Sequence, residues 1–176
     1  MNIVYIRRNG KSLFDGIIVI GSRGDAPRHR CALGRSGLSV RKREGDGATP
    51  IGQYRMLKVF YRSDRFARPQ TRLPVTAIHA GIGWCDDPID RNYNKMIHLP
   101  YPASHEKLMR EDHLYDCLVV LDYNISTRKR FAGSAIFLHL ARQNFEPTEG
   151  CIAVHESVMK RLLGQANTDT IFSIEG

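Results

Sequence analysis

Ser134-Ala-Ile-Phe-Leu-His139-Leu-Ala-Arg142, then Gln143 to Pro147, then Thr148-Glu-Gly-Cys151-Ile-Ala-Val154, is the stretch on which the reading of this chain turns. A histidine ends one apolar run, a short polar segment follows, and a cysteine opens the next apolar run directly behind a glycine. Short runs of this composition, bounded by Gly, Pro, Asn and Asp, read as strands. If the two strands are neighbours, the intervening loop folds His139 back beside Cys151.

Nucleophilic chemistry needs that pairing. A free thiol with a pKa near about 8.5 is only slightly ionised at neutral pH, and an imidazole within hydrogen-bond reach makes the thiolate available. Gly150 lets the backbone approach closely, so its N–H or that of Cys151 is a candidate oxyanion donor for an acyl-transfer intermediate. Thr148 is placed to hold the turn or to bond a substrate. Each residue alone has a plainer reading, the cysteine as a small buried hydrophobe and the histidine as a polar cap. The combination of His139 with Thr-x-Gly-Cys favours chemistry.

Outward from this stretch the same rhythm recurs at Ile3 to Ile6, Ile17 to Ile20, Tyr54 to Tyr61, Cys117 to Tyr123 and Thr170 to Ile174. Tyr54, Met56, Lys58 and Phe60 do not alternate cleanly, so that run does not declare its buried face. Asp46-Gly47 suits a tight turn. Two segments break the β rhythm and read as helices. Ser104 to His113 has an N-cap serine and one apolar anchor, Leu108. Glu156 to Leu163 pairs Val158 with Leu162 and Met159 with Leu163, and stops at Gly164. The expected fold class is mainly β (a β-rich α+β protein) with one or two short helices, in a single domain spanning residues 1–176.

Composition bounds the rest. The chain has 176 residues, 42% of them hydrophobic, with 26 Lys+Arg against 18 Asp+Glu. That length and apolar content support a core without metals or disulfides. The net charge of +8 directs it toward polyanions or anionic surfaces. The best apolar runs, Ile17 to Ile20 and Cys117 to Leu121, are a fraction of the roughly 20 residues needed to span a bilayer, so no membrane span is expected. Arg7, Arg8 and Lys11 precede a run too short for the hydrophobic region of a secretory signal, about 7–15 residues long, and no export signal is visible. Cys31, Cys85, Cys117 and Cys151 are dispersed, which fits isolated thiols and gives zinc no close-spaced ligand pair. No metal and no cofactor are expected.

His139 followed by Thr148-x-Gly150-Cys151 resembles the His … (Ser/Thr)-x-Gly-Cys signature of the YkuD-like L,D-transpeptidases. Upstream, Gly45-Asp-Gly-Ala-Thr49-Pro50-Ile51-Gly52-Gln-Tyr54 resembles that family's Thr-Pro-x-Gly-x-(Phe/Tyr) turn, and the motifs fall in the family's order. The resemblance implies a β-sandwich of mixed sheets. It also implies a peptidoglycan-remodelling enzyme in which Cys151 is acylated by a stem peptide, through a thioester, and released to a diaminopimelate amine, with His139 moving the proton and the Gly150 and Cys151 amides holding the oxyanion. Peptidoglycan stem peptides would then be the partners, β-lactams of the carbapenem type possible inhibitors, and the periplasm or cell envelope the location of a monomeric enzyme. Where many members have His and Arg, this chain has Glu149 and Ala153, Leu140 replaces a small residue, and the loop between His139 and Cys151 is short. These changes alter the charge beside the nucleophile, so donor specificity is not carried over. The segment from Gly83 to Asn94 resembles a compact Gram-negative branch, some of whose enzymes use an L-Ala to diaminopimelate bond.

Around this centre, Arg142 is a candidate to bind a stem carboxylate. Trp84, Asp86 and Tyr93, in a loop with an aromatic platform and acidic groups, are candidates to bind a polar amine-bearing ligand, as is Glu149 beside the nucleophile. His79 reads as structural, and His98, His105, His113 and His155 as surface groups. Competing readings are an L,D-carboxypeptidase or endopeptidase on the same substrates, a wall-binding protein without activity, and a basic nucleic-acid-binding domain. For the last, Arg28 to Arg30 and Arg41-Lys42-Arg43 supply charge, but no nucleic-acid-reading motif accompanies them.

Overall fold

The computed structural model describes residues 3–10, 12–21 and 26–176; Lys11 lies outside them. Among the described residues the elements follow in chain order as β1 (Ile3–Arg8), β2 (Asp15–Ile20), β3 (Arg28–Ala32), β4 (Leu38–Ser39), β5 (Thr49–Pro50), β6 (Gly52–Tyr61), β7 (Val75–Ala77), β8 (Ile82–Cys85), β9 (Lys95–His98), β10 (His105–Lys107), β11 (Cys117–Leu121), β12 (Phe137–Leu140), β13 (Ile152–Val154), α1 (Glu156–Gln165) and β14 (Ile171–Glu175).

Nine strands form one mixed sheet in the order β11-β12-β13-β3-β2-β1-β14-β6-β7, and β11 also pairs with β6. The sheet therefore folds back on itself through β6, which meets β14 over its first residues and β11 over its last. Pairs β1/β14, β12/β13 and β6/β7 are parallel, and the other pairs of this sheet are antiparallel. A second, three-stranded sheet, β10-β8-β9, covers the outer face of β6, β11 and β12. The fold is the expected sandwich of mixed sheets.

Two cores result, and strand alternation sorts residues between them. Along β11, Cys117, Val119 and Leu121 enter the larger core with Val4, Ile18, Leu138, Ile152 and Phe172. Leu118 and Val120 point the other way, to Phe60, Trp84, Leu108, Tyr115 and Phe137 beneath the small sheet. Both faces are buried, which is why these runs are apolar without interruption. The irregular pattern of β6 has a local cause. Val120 pairs with Lys58 but Leu121 pairs with Met56, so the register slips by one residue. A bulge of this kind switches faces. Tyr54 and Met56 serve the larger core before it, and Val59 after it.

α1 closes one side of the larger core with Val158, Met159, Leu162 and Leu163, the i,i+4 pairs expected from the sequence, and runs through Gly164 to Gln165. Its N-cap is His155, whose side chain accepts from the Ser157 N–H, so His155 is more than a surface group. The second expected helix, Ser104 to His113, does not form. β10 occupies its start, pairing His105, Glu106 and Lys107 with Cys85, Trp84 and Gly83. Leu108 alone, fully buried under the small sheet, gives no apolar stripe that a helix would need, so strand pairing prevails.

Candidate active site

β12 and β13 are neighbours, as the sequence requires for chemistry, but they run parallel with Leu138 opposite Ile152, His139 opposite Ala153 and Leu140 opposite Val154. The segment between them is thus a crossover and not a hairpin turn. Leu138, Leu140, Ile152 and Val154 face the larger core. His139, Cys151 and Ala153 fall on the other face and line a cleft of about 600 Å³, together with Lys42, Glu106, Arg110, Tyr115, Ala135 and Thr148.

The loop before Cys151 is held by its own side chain. Thr148 Oγ1 donates to the Cys151 carbonyl at 2.6 Å and accepts the Gly150 N–H at 3.1 Å. The Thr148 main chain is stitched to the end of β3 through its N–H to the Leu33 carbonyl and its carbonyl to the Arg35 N–H. Gly150 has φ +135, and a Cβ there would stand 2.8 Å from the Ala48 carbonyl oxygen. Only glycine fits. Because its N–H is taken by Thr148, Gly150 contributes shape to the loop.

Cys151 Sγ donates to the Ala135 carbonyl at 3.2 Å and accepts the Phe137 N–H at 3.4 Å. Burial, then the nearby Glu106 carboxylate, pushes the thiol up to about 12 against the weaker help of Phe137 N–H, Lys42 and Arg110. His139 is buried with its ring edge against Tyr115, and its Nδ1 lies 2.8 Å from the Leu140 carbonyl. A carbonyl partner fixes the proton on Nδ1 and leaves Nε2 as an acceptor. Burial lowers this imidazole to about 4. Thiol and imidazole are therefore both neutral at physiological pH.

Across residues 1–174 the sequence matches the L,D-transpeptidase catalytic domain family called YkuD. The chain belongs to that family. Among solved structures, the crystal structure of Mycobacterium tuberculosis L,D-transpeptidase 1 is similar at 10% identity and a TM-score of 0.41. The match covers 99% of this chain and 63% of that one, so the chain spans less than two thirds of that protein's length. No curated protein sequence matches.

Within this YkuD domain the other expected site residues take different places. Glu149 and Arg142 lie at the cleft mouth, each already paired: Glu149 accepts from Arg35 Nε at 2.8 Å, and Arg142 donates to Glu146 at 2.7 Å. Asp86 lines the cleft, and its buried Oδ1 has no hydrogen-bond partner among the described residues. Trp84 and Tyr93 do not line it. Trp84 sits in β8, packed edge-on to Phe137, with Nε1 donating to Asn94 Oδ1 at 3.0 Å. The Tyr93 hydroxyl donates to Glu44 and accepts the Gly133 N–H at 3.0 Å. His79 is exposed and accepts the Gly81 N–H. No group of three or more His, Cys, Asp or Glu is arranged to hold a metal among the described residues.

The Trp84 to Asn94 segment instead braces the site from behind. Asn94 Oδ1 also accepts the Ala135 N–H at 3.0 Å, and its Nδ2 donates to the Tyr123 carbonyl at 3.1 Å. Ala135 is held at φ +51, unusual for a residue with a Cβ, and this conformation presents its carbonyl to Cys151. Sequence reasoning missed Lys42, Glu106, Arg110 and Tyr115 as cleft-lining residues. Lys42 reads as one more member of a basic run, yet its side chain is only 4% exposed and bonds Asp46 at 2.6 Å. Glu106 and Arg110 were hidden inside the expected helix.

Proposed function

We propose that the protein is a peptidoglycan L,D-transpeptidase with Cys151 as nucleophile and His139 as general base and acid. The observation that carries this reading is the shared cleft face of parallel β12 and β13, with Cys151 and His139 both on it and His139 Nδ1 tied to Leu140. The thiol leaves the Ala135 carbonyl and gives its proton to His139 Nε2. The sulfur attacks the carbonyl carbon of a stem-peptide amide on the carboxyl side of an L-centre. The Cys151 N–H donates to the resulting oxyanion, since the Gly150 N–H is engaged by Thr148. Collapse expels the leaving amine, which takes the proton from His139, and leaves a thioester on Cys151.

A diaminopimelate amine then attacks the thioester, His139 again accepts and returns a proton, and the thiol is restored. Water in place of the amine gives carboxypeptidase or endopeptidase products. Such a substrate places the enzyme in the cell envelope, acting as a monomer, and makes carbapenems its acylating inhibitors.

Incubating the protein with isolated muropeptides and reading products by mass spectrometry tests this directly. Cross-linked dimers are expected, and their masses and fragments report whether the bond is of the L-Ala to diaminopimelate type. Cys151→Ser is expected to lose both the dimers and the added mass of a carbapenem. Turnover retained in that variant sinks the assignment, and trimmed monomers without dimers point to the hydrolase.

A further inference from the structure

Beside the cleft, on the far side of Lys42, the segments Val40 to Arg43 and Lys129 to Ala132 enclose a second groove with Tyr123 at its base. Val40 is 77% exposed and Phe131 57% exposed, and Arg41, Arg43, Lys129 and Arg130 are exposed around them. None of these four cations forms an ion pair among the described residues. Asp46 is already paired with Lys42, and the Glu44 carboxylate with Tyr93 and Ser134.

The two segments are tied together. The Glu44 N–H donates to the Phe131 carbonyl at 2.9 Å. Asn124 Nδ2 donates to the Lys129 and Gly133 carbonyls at 3.0 and 2.9 Å, and the Tyr123 hydroxyl donates to the Ala132 carbonyl at 2.5 Å. Phe131 is held at φ +61, a conformation disfavoured for a bulky residue. An ordered backbone thus keeps an aromatic ring out of both cores and in water, next to an exposed valine and four uncompensated cations.

We infer that this rim is a peripheral docking surface for an anionic phospholipid membrane, with Val40 and Phe131 entering the interface and Arg41, Arg43, Lys129 and Arg130 meeting lipid phosphates. Charge complementarity selects an anionic partner. Exposed bulky apolar side chains at two loop tips select a membrane over a soluble polyanion, which leaves Val40 and Phe131 without any gain. Lys42 lines both the groove and the catalytic cleft, so docking here holds the mouth of the cleft beside the lipid surface. The inference does not depend on the reaction assigned to Cys151.

Co-sedimentation of the whole protein with vesicles tests it. Vesicles of phosphatidylcholine with phosphatidylglycerol are expected to bind it at least about tenfold more tightly than phosphatidylcholine alone, and added salt is expected to weaken binding without abolishing it. Arg41→Glu with Arg130→Glu is expected to remove the preference for the anionic lipid. Val40→Ser with Phe131→Asn, the asparagine being chosen because it tolerates positive φ, is expected to remove the residual binding at high salt. Equal or no binding to the two vesicle types overturns the inference. So does tight binding of a single-stranded oligonucleotide that competes with vesicles and is unaffected by the Val40 and Phe131 changes, which makes the rim a polyanion site. Thermal melting of each variant shows that it is folded.

Discussion

The thiol of Cys151 and the carbonyl of Ala135 form a hydrogen bond at 3.2 Å that favours the protonated sulfur at rest. An S–H directed at a carbonyl stabilises the neutral form, in line with a thiol pushed up to about 12 by burial and by Glu106. Reactivity then depends on a substrate drawing the thiol toward His139. The resting enzyme is expected to react slowly with iodoacetamide at neutral pH and rapidly with a carbapenem that engages the cleft. Fast iodoacetamide labelling, read by intact mass, contradicts this picture.

Glu106 lies in the cleft, accepting from the Tyr115 hydroxyl at 2.6 Å, and its charge opposes ionisation of Cys151. Glu106→Gln keeps an acceptor for Tyr115 and removes the charge. Iodoacetamide labelling of Cys151 at pH about 9 is expected to quicken by roughly threefold to tenfold, because loss of the carboxylate lowers the thiol from its raised value. An unchanged rate means that the carboxylate does not act on the sulfur.

His139 is lowered to about 4 by burial, whereas an imidazole in the unfolded chain titrates near about 6.5. The unfolded state therefore binds the proton more readily between these values. His139 costs nothing above pH about 6.5, and stability falls as pH drops from there toward 4, by on the order of 3 kcal/mol. Denaturant midpoints measured across this window should decline less in His139→Gln. Acylation in the native protein should hold its rate well below pH 6.5, because the base stays neutral there.

Asn94 makes three hydrogen bonds, to Trp84, Ala135 and Tyr123, from a buried position at φ +57. Asn94→Ala leaves buried donors on Trp84 and Ala135 unsatisfied, at a cost of about 1–3 kcal/mol each. The expected result is a loss of roughly 2–4 kcal/mol in chemical denaturation, together with slower acylation as the Ala135 carbonyl drifts. Asn94→Asp retains the acceptor for both but sets a buried carboxylate oxygen against the Tyr123 carbonyl, so it should recover part of the acylation rate and little of the stability.

Gly150→Ala combines positive φ with a 2.8 Å contact to the Ala48 carbonyl oxygen. Backbone strain alone costs about 1–3 kcal/mol. Acylation should be nearly abolished because the loop must move Cys151 to relieve the contact. Thr148→Val, which keeps the volume but loses both hydroxyl bonds, should impair the same step with less loss of melting temperature.

The strands with both faces buried were legible because their runs are almost wholly apolar, unbroken at Cys117 to Leu121 and interrupted only by His139 at Phe137 to Leu140. That His139 and Cys151 would line one cleft was legible because each sits at an apolar run and a short segment joins the two runs. Strands such as β10, His105-Glu106-Lys107, were not, since their stability comes from pairing with β8 and from Leu108 beneath them, and neither leaves a local pattern. The same holds for the bracing role of Trp84, Tyr93 and Asn94. A tryptophan beside acidic residues reads as a ligand platform until Phe137, 53 positions along the chain (137 − 84), is brought against it. The bulge at Leu57 of β6, opposite Val120 and Leu121, explains why β6 declared no single face.

The parallel pairing of β1 with β14 carries a consequence for the order of assembly. Both β12 and β13 are synthesised before Ile171 to Glu175, yet the main sheet lacks the neighbour that joins β1 to β6 until those residues emerge. Until then β1 and β6 expose unpaired edges and the larger core stays open. Such long-range closure folds slowly and exposes intermediates to aggregation. A nascent chain halted before Ile171 should hold Cys151 and His139 on neighbouring strands at most transiently, so competence for acylation would appear late, with the last strand, and all at once.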